Sequence, residues 1–402
     1  MGKSHNRFRR FCAFVIGIVF LSGGIFKLLD PVGSGLIMES YFKFLHLDFL
    51  NCISLWAAEF FAFAETFTGI LLISGVFRKV TAIVTSVLLT LFTALTVLLV
   101  IFNPSMDCGC FGEVIHLTHW ESLFKNVILD IFAAIAFIPF RDYGEPLKKK
   151  YVSAAIAAIS CTALAVYSLL YIPLVDFTDF RPGSRLEASL ETVPDIYKAT
   201  FVYEKDGVKR NFSLENLPDS TWTFVSTETS LETERSDERI ASLSFRDSEG
   251  NYCDSIATVG KVLAFSVYSP ENLSLKKWKS MADKIAAANR EGFVTILLSR
   301  DLTELDRITE GLPPEERHAI VSSAYSADYK TIVSLNRSNG GVTCFHDGHL
   351  VRKWAARSFP DFSSFEADGK GSSAEEAATA GTRQQLTFQA FLLYVYAILL
   401  FI

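Results

Sequence analysis

Residues 80–112 read VTAIVTSVLLTLFTALTVLLVIFNPSMDCGCFG. The stretch 80–102 carries no charge. At ~1.5 Å per helical residue it is long enough to cross the ~30 Å hydrocarbon core of a bilayer. The ten residues that close the stretch are of another kind. Pro104 and Gly112 bracket a tight loop in which one glycine separates Cys108 from Cys110. A spanning helix that delivers two thiols to one face of a membrane sets the class of fold. It also marks where to look for chemistry.

Outward from that point, four more segments qualify as spans: 11–29, 52–76, 120–140 and 151–173. A sixth apolar run, 386–402, ends the sequence. Segment 11–29 follows Arg7, Arg9 and Arg10 as a secretory signal would. It lacks a clean small-x-small cleavage site and more apolar runs follow, so it is read as a retained helix. Basic residues gather in alternate connections: Arg7, Arg9 and Arg10, then Arg78 and Lys79, then Arg141 and Lys148 to Lys150. The connections 30–51 and 103–119 hold only Lys43. By the positive-inside rule the N-terminus is cytoplasmic, and Cys108, Cys110 and everything between the fifth and sixth spans lie outside. In a bacterial inner membrane that side is the periplasm, where disulfides form and persist.

Charge divides the chain in the same way. Residues 1–175 carry 13 Lys+Arg against 11 Asp+Glu, and 176–402 carry 25 against 33. An apolar, weakly basic half therefore precedes an acidic, water-compatible half. The basic residues form no broad patch of the kind nucleic acid requires. The expected fold is a membrane α-helical domain at 1–145, built as a four-helix transmembrane bundle. A fifth, tethering helix follows at 146–175. A β-rich extracytoplasmic segment at 176–258 carries a hairpin signal at Asp206-Gly207. Residues 259–365 read β-α-β, then helix, then a hairpin at Asp347-Gly348, the order of an α/β thioredoxin-like domain. A small-polar linker spans 366–385 and a C-terminal transmembrane helix spans 386–402.

Cysteines two apart can close a small disulfide ring if their Cα atoms come within about 7 Å. Gly109 can take the backbone angles such a ring demands. Strained, exposed disulfides are the labile ones, which favours thiol–disulfide exchange at Cys108 and Cys110. Two other readings remain open. Cys108, Cys110, His116 and His119 could bind a metal, although their spacing is not a standard zinc signature. The pair could also be purely structural. Cys52, Cys253 and Cys344 are possible partner thiols, whereas Cys12 and Cys161 read as small core hydrophobes. Charged residues within the spans are costly and so need a role. Lys27, Glu65, Glu59 and Asp130 could form a polar intramembrane site with Lys27 paired to a carboxylate, or simple structural ion pairs. Glu59 and Glu65 point roughly 120° apart on a helix, so they cannot serve one partner from one face.

With these residues in view, 11–140 resembles the MauE/DoxX family of membrane proteins. The likeness rests on SGGIFKLLDP near the first helix end, on Glu65 followed by Gly69, on DCGCFG after the third span, and on LFKN in the fourth. The resemblance implies that Cys108 and Cys110 are a redox pair and that Lys27 and Glu65 are the intramembrane polar residues. It also implies a link to disulfide maturation or to quinone-coupled oxidation. Where the family often shows arginine before the fourth-helix asparagine, this chain has Lys125. Residues 259–365 resemble thioredoxin but lack its thiols: SPENLS follows the first strand, and Gly340 and Gly341 stand where that family keeps a cis-proline. That domain is not expected to be an oxidoreductase itself.

Three functions follow as expectations. One is a membrane thiol–disulfide redox protein that exchanges with periplasmic thiol proteins and passes electrons to a quinone or an inner thiol. The second is a non-catalytic assembly factor for a periplasmic client. The third is a metal-handling membrane protein. No cofactor is demanded by any motif, and quinone is the one compatible with the first reading.

Overall fold

A computed structural model describes residues 2–138, 148–186, 197–205, 208–213, 222–231, 240–359, 387 and 389–390. Among the described residues the first half has six α-helices: α1 (Gly2–Leu29), α2 (Pro31–Phe44), α3 (Ser54–Ser74), α4 (Arg78–Phe102), α5 (His119–Phe137) and α6 (Lys148–Leu170). Among the described residues four helical segments are long and apolar enough to cross a membrane: Arg7–Leu29, Asp48–Ser74, Arg78–Phe102 and Lys148–Leu170. The sequence led us to expect five such spans before the soluble half. The span expected at 120–140 forms as α5, but Glu121, Lys125 and Asp130 interrupt its apolar surface. The sixth expected span and the linker at 366–385 lie almost wholly outside the described residues.

Small residues set the packing. An added Cβ at Gly69 of α3 would sit 2.6 Å from the Leu21 nitrogen and 2.8 Å from the Gly17 carbonyl oxygen of α1. Only glycine permits that approach, and close backbone contact is how helices associate in lipid. Ile16, Phe20, Leu72, Leu89 and Leu129 join α1, α3, α4 and α5 in one core. The helix α6 is more than the tether we expected. Its Ala154, Ala157, Cys161 and Ala165 form one small-residue face that packs on Leu28, Ala62 and Ile70. The connection 30–51, expected as a loop, is largely α2. Asp30 caps that helix by accepting from the Gly33 nitrogen at 3.0 Å, and Pro31 opens it. The basic residues Arg7, Arg9, Arg10, Arg78 and Lys150 line one recess, so three of the sequence clusters do meet at one end of the bundle.

The remainder is mixed α/β. After the short strand β1 (Arg185–Leu186), the strands β2 (Tyr197–Lys205), β3 (Val208–Ser213) and β4 (Thr223–Leu231) form a separate antiparallel sheet of order β3-β2-β4. Lys205 pairs with Val208, which agrees with the expected hairpin. Two short strands follow, β5 (Ile240–Ala241) and β6 (Phe245–Arg246). Next come β7 (Lys261–Val267), α7 (Leu275–Arg290), β8 (Val294–Ser299), α8 (Leu302–Thr309), α9 (Pro314–Ser322) and β9 (Ala324–Ala327). The chain then forms α10 (Tyr329–Leu335), β10 (Gly341–His346) and β11 (His349–Trp354). The larger sheet has eight strands in the order β5-β1-β11-β10-β7-β8-β9-β6. Its β7–β8–β9 part is parallel, and β10 and β11 are antiparallel. Parallel strands covered on both faces read as continuous apolar runs, and all but the first residue of both β7 and β8 are buried. Asp347 and Gly348 both have positive φ, 47° and 76°, as a tight two-residue hairpin turn requires.

Candidate functional site

The loop between α4 and α5 sits on the corner where α1 turns into α2. Gly109, at φ 61°, lets the chain double back so that Cys108 and Cys110 face each other. Ile37 of α2 packs where a Gly109 side chain would stand. The Tyr41 hydroxyl, also on α2, donates to the Cys108 carbonyl at 2.6 Å. Beneath the loop, Gly23 of α1 leaves room for the Cys110 carbonyl oxygen, which would lie 3.2 Å from an added Cβ. The loop's exit is fixed by a capping box: Thr118 accepts from the Glu121 nitrogen, and the Glu121 carboxylate accepts from Thr118 at 2.8 Å.

Both cysteines are thiols, and their Sγ atoms lie 3.2 Å apart. A movement of roughly 1 Å closes that gap to bonding distance. The two thiols differ in environment. Cys108 is 3% exposed, and Cys110 is half-buried. A hydrogen bond from Cys108 holds the Cys110 thiol well below its ordinary pKa, with the charges of Lys125 and Lys27 adding to the effect against the opposing cost of burial. Its partner moves the other way: sharing its proton with Cys110 and burial push the Cys108 thiol up. The two thiols are thus unequal, with Cys110 the more acidic of the pair. Cation-stabilised cysteines of this kind are the nucleophilic ones.

Lys27 and Glu65 meet as the sequence suggested. Their Nζ and Oε1 are 2.5 Å apart, and the two side chains are 15% and 5% exposed. Lys27 also lies over the Phe92 ring at 5.7 Å, and Lys125 over the Phe111 ring at 5.0 Å. These groups line a cavity of about 260 Å³ inside the helical half. Its remaining wall is mainly apolar, with Phe20, Phe42, Phe61, Phe92 and Leu95 prominent.

Other expected site residues lie elsewhere. Glu59 is buried on α3, away from that cavity, and neither carboxylate oxygen has a hydrogen-bond partner among the described residues. Asp130 accepts from the Thr93 hydroxyl at 2.7 Å, an ordinary helix–helix contact between α4 and α5. Cys52 is exposed on a short 3-10 turn, and its thiol contacts the Phe49 carbonyl of the same turn at 3.7 Å. Cys344 belongs to the core on one face of the large sheet, and Cys253 packs against the core on the other face. The sheet therefore stands between them, which keeps the two sulfurs apart. The four proposed metal ligands are not gathered either. His116 pairs with Asp107 at 3.1 Å, while His119 contacts Asn103 and the Met106 carbonyl. Among the described residues no group of three or more His, Cys, Asp or Glu side chains is placed to hold a metal ion.

Sequence reasoning noted Lys125 without placing it in the site, and it missed Tyr41. The motif LFKN held a signal for Lys125, a cation nearly two turns inside a helix that starts at the cysteine loop. Tyr41 had none, because its helix was read as a loop.

The segment 6–139 matches the family model described as Methylamine utilisation protein MauE. Over those residues, a third of the chain, the protein is similar to that family. The matched region takes in α1 from residue 6 through α5 and the residues that line the thiol cavity, from Val19 to Leu129. It stops short of α6 and of the α/β domain. Residues 197–234, which include β2 to β4, match a domain of unknown function (DUF8463). Neither match touches 259–365, so the expected thioredoxin-like domain is not identified there. No curated protein and no solved structure matches the chain.

Proposed function

We propose that this chain is an integral membrane thiol–disulfide redox protein that cycles Cys108 and Cys110 between dithiol and disulfide. The observation that carries this reading is the 3.2 Å approach of two thiols at the mouth of a cavity that also holds Lys27, Glu65 and Lys125. In the exchange step the Cys110 thiolate attacks one sulfur of a partner disulfide and releases the other as a thiolate. A mixed disulfide results. Cys108 then gives up its proton and attacks Cys110, which expels the reduced partner and leaves the Cys108–Cys110 disulfide. Two electrons and the Cys108 proton pass to the partner, water supplies the second proton, and the reverse sequence oxidises a dithiol.

The partner would be a periplasmic thiol protein at a bacterial inner membrane. The apolar cavity beside the pair suits a membrane quinone. Two thiols and one quinone would become one disulfide and one quinol, and Lys27 and Glu65 lie where protons would be exchanged. The α/β domain would be a thioredoxin-like module without the Cys-x-x-Cys pair of that family, since the turn after β7 is Tyr268 to Ser274 with no cysteine. Its role would be to receive the partner.

The test is the redox state of the pair in cells. Free thiols are trapped with acid and tagged by mass before and after reduction. A mixed population that moves with added reductant or with quinone depletion is the expected result. A pair that stays fully reduced in every condition would overturn the reading. Full function in a Cys108→Ser, Cys110→Ser chain would instead favour a non-catalytic assembly factor.

A further inference from the structure

One buried ion pair joins the two halves of the molecule. Arg337, just after α10, donates from Nη2 at 2.7 Å and from Nε at 3.1 Å to one carboxylate oxygen of Asp30. Both side chains are only 4% exposed. The second Asp30 oxygen caps α2 through the Gly33 nitrogen. Asp30 therefore has no spare acceptor oxygen. Both of its commitments define the corner between α1 and α2.

That corner leads to the thiols by short links. Ser34, in the first turn of α2, donates its hydroxyl to the Lys27 carbonyl at 3.2 Å. One turn further on, Ile37 fills the space over Gly109, and after another turn Tyr41 holds the Cys108 carbonyl. On its own side Arg337 is fixed as well, because its carbonyl accepts from the Tyr268 hydroxyl at the end of β7 at 3.0 Å. A second buried pair, Lys353 with Asp176 at 2.6 Å, lies in the same charge cluster. Glu113 of the cysteine loop also faces Arg337 and Asp30, and burial holds its carboxyl above the usual range.

We propose that Arg337 of the α/β domain is a positioning residue for the thiol pair. Its ion pair with Asp30 sets α2, and α2 sets the Cys108–Gly109–Cys110 loop. A buried ion pair adds little stability over a well-packed apolar pair, and its best-attested use is to select one arrangement. The arrangement selected here is the register of the α/β domain on the corner that carries the loop. The redox half of the test rests on the function proposed above, whereas the alkylation half does not.

The experiment uses the full chain in lipid nanodiscs. Peptide-resolved mass spectrometry follows two quantities: the equilibrium of the Cys108–Cys110 pair with glutathione, and the alkylation rate of Cys110 across pH. The main variant is Arg337→Gln with Asp30→Asn, which removes both charges and orphans neither. An Arg317→Gln, Asp306→Asn chain removes a surface pair between α8 and α9 as the control. Thermal unfolding confirms that each variant is folded. The expected result is a shift of at least roughly threefold in both quantities for the first variant and none for the control. A folded first variant that matches the unsubstituted chain in both quantities would overturn the proposal, and so would an equal shift in the control. If the unsubstituted pair fails to titrate with glutathione at all, the redox function falls, and the alkylation rates still decide the role of Arg337.

Discussion

At the scale of single residues, the two cysteines are made unequal by what surrounds them. Lys125 adds its charge to the hydrogen bond that Cys108 gives, and both favour the thiolate of Cys110. Neutralising it as Lys125→Gln removes one stabilising charge, so the thiolate forms only at higher pH. The alkylation profile of Cys110 against pH is expected to move upward, with a rate at neutral pH lower by roughly threefold or more. Lys27 and Glu65 are a different case, because each is the other's counter-charge in a buried site. Lys27→Met alone orphans Glu65, and breaking a buried pair in this way costs about 3–5 kcal/mol. The combined Lys27→Met, Glu65→Met chain is expected to recover most of that loss in thermal unfolding. If the pair moves protons for the thiols, the same chain stays impaired in turnover of the Cys108–Cys110 disulfide.

At the scale of elements, the site depends on how closely α1 and α3 approach. Gly69 allows that contact, with no room for a Cβ beside Leu21. Gly69→Leu is expected to separate the two helices, disturb the Lys27–Glu65 contact and lower the yield of folded protein. Thermal unfolding and size-exclusion profiles in detergent measure this. The long apolar runs and the β-α-β alternation were legible in the sequence because each has a strong period. What escaped was short or mixed. The helix α2 has glycines at 33 and 35 and polar residues at Glu39, Ser40 and Lys43, so it shows neither a clean apolar stripe nor a spanning length. Helix α5 was read as a span because its apolar residues dominate, yet Glu121, Lys125 and Asp130 serve a cap, the thiol site and a contact to α4. The cysteine pair was legible from spacing alone. Its neighbours Tyr41 and Lys125 depend on how helices meet, which no local pattern records.

At the scale of the whole molecule, the basic residues at one end of the bundle and the cysteine loop beside α2 predict a sidedness. In sealed cells a membrane-impermeant maleimide is expected to reach Cys52, which is exposed at the start of α3, and to miss Cys12 and Cys161, which are buried within the helices. Labelling of Cys52 only after the membrane is permeabilised would reverse the topology. The sequence foresaw two halves with different chemistry, but not that a buried arginine of the second half would close a corner of the first. No periodicity links residues so far apart.

That distance has a consequence for the order in which the protein is made. Asp30 and Arg337 are separated by 307 positions along the chain. A ribosome working at ~5–20 residues per second reaches Arg337 roughly 15–60 s after it has made Asp30. For that interval the corner beside the thiols waits without its counter-charge, and the site cannot be completed. The α/β domain, translated after the helices, is therefore the step that completes a site whose cysteines were made first. A truncated or stalled nascent chain carries the thiols and the cavity but not the arginine that holds them in register.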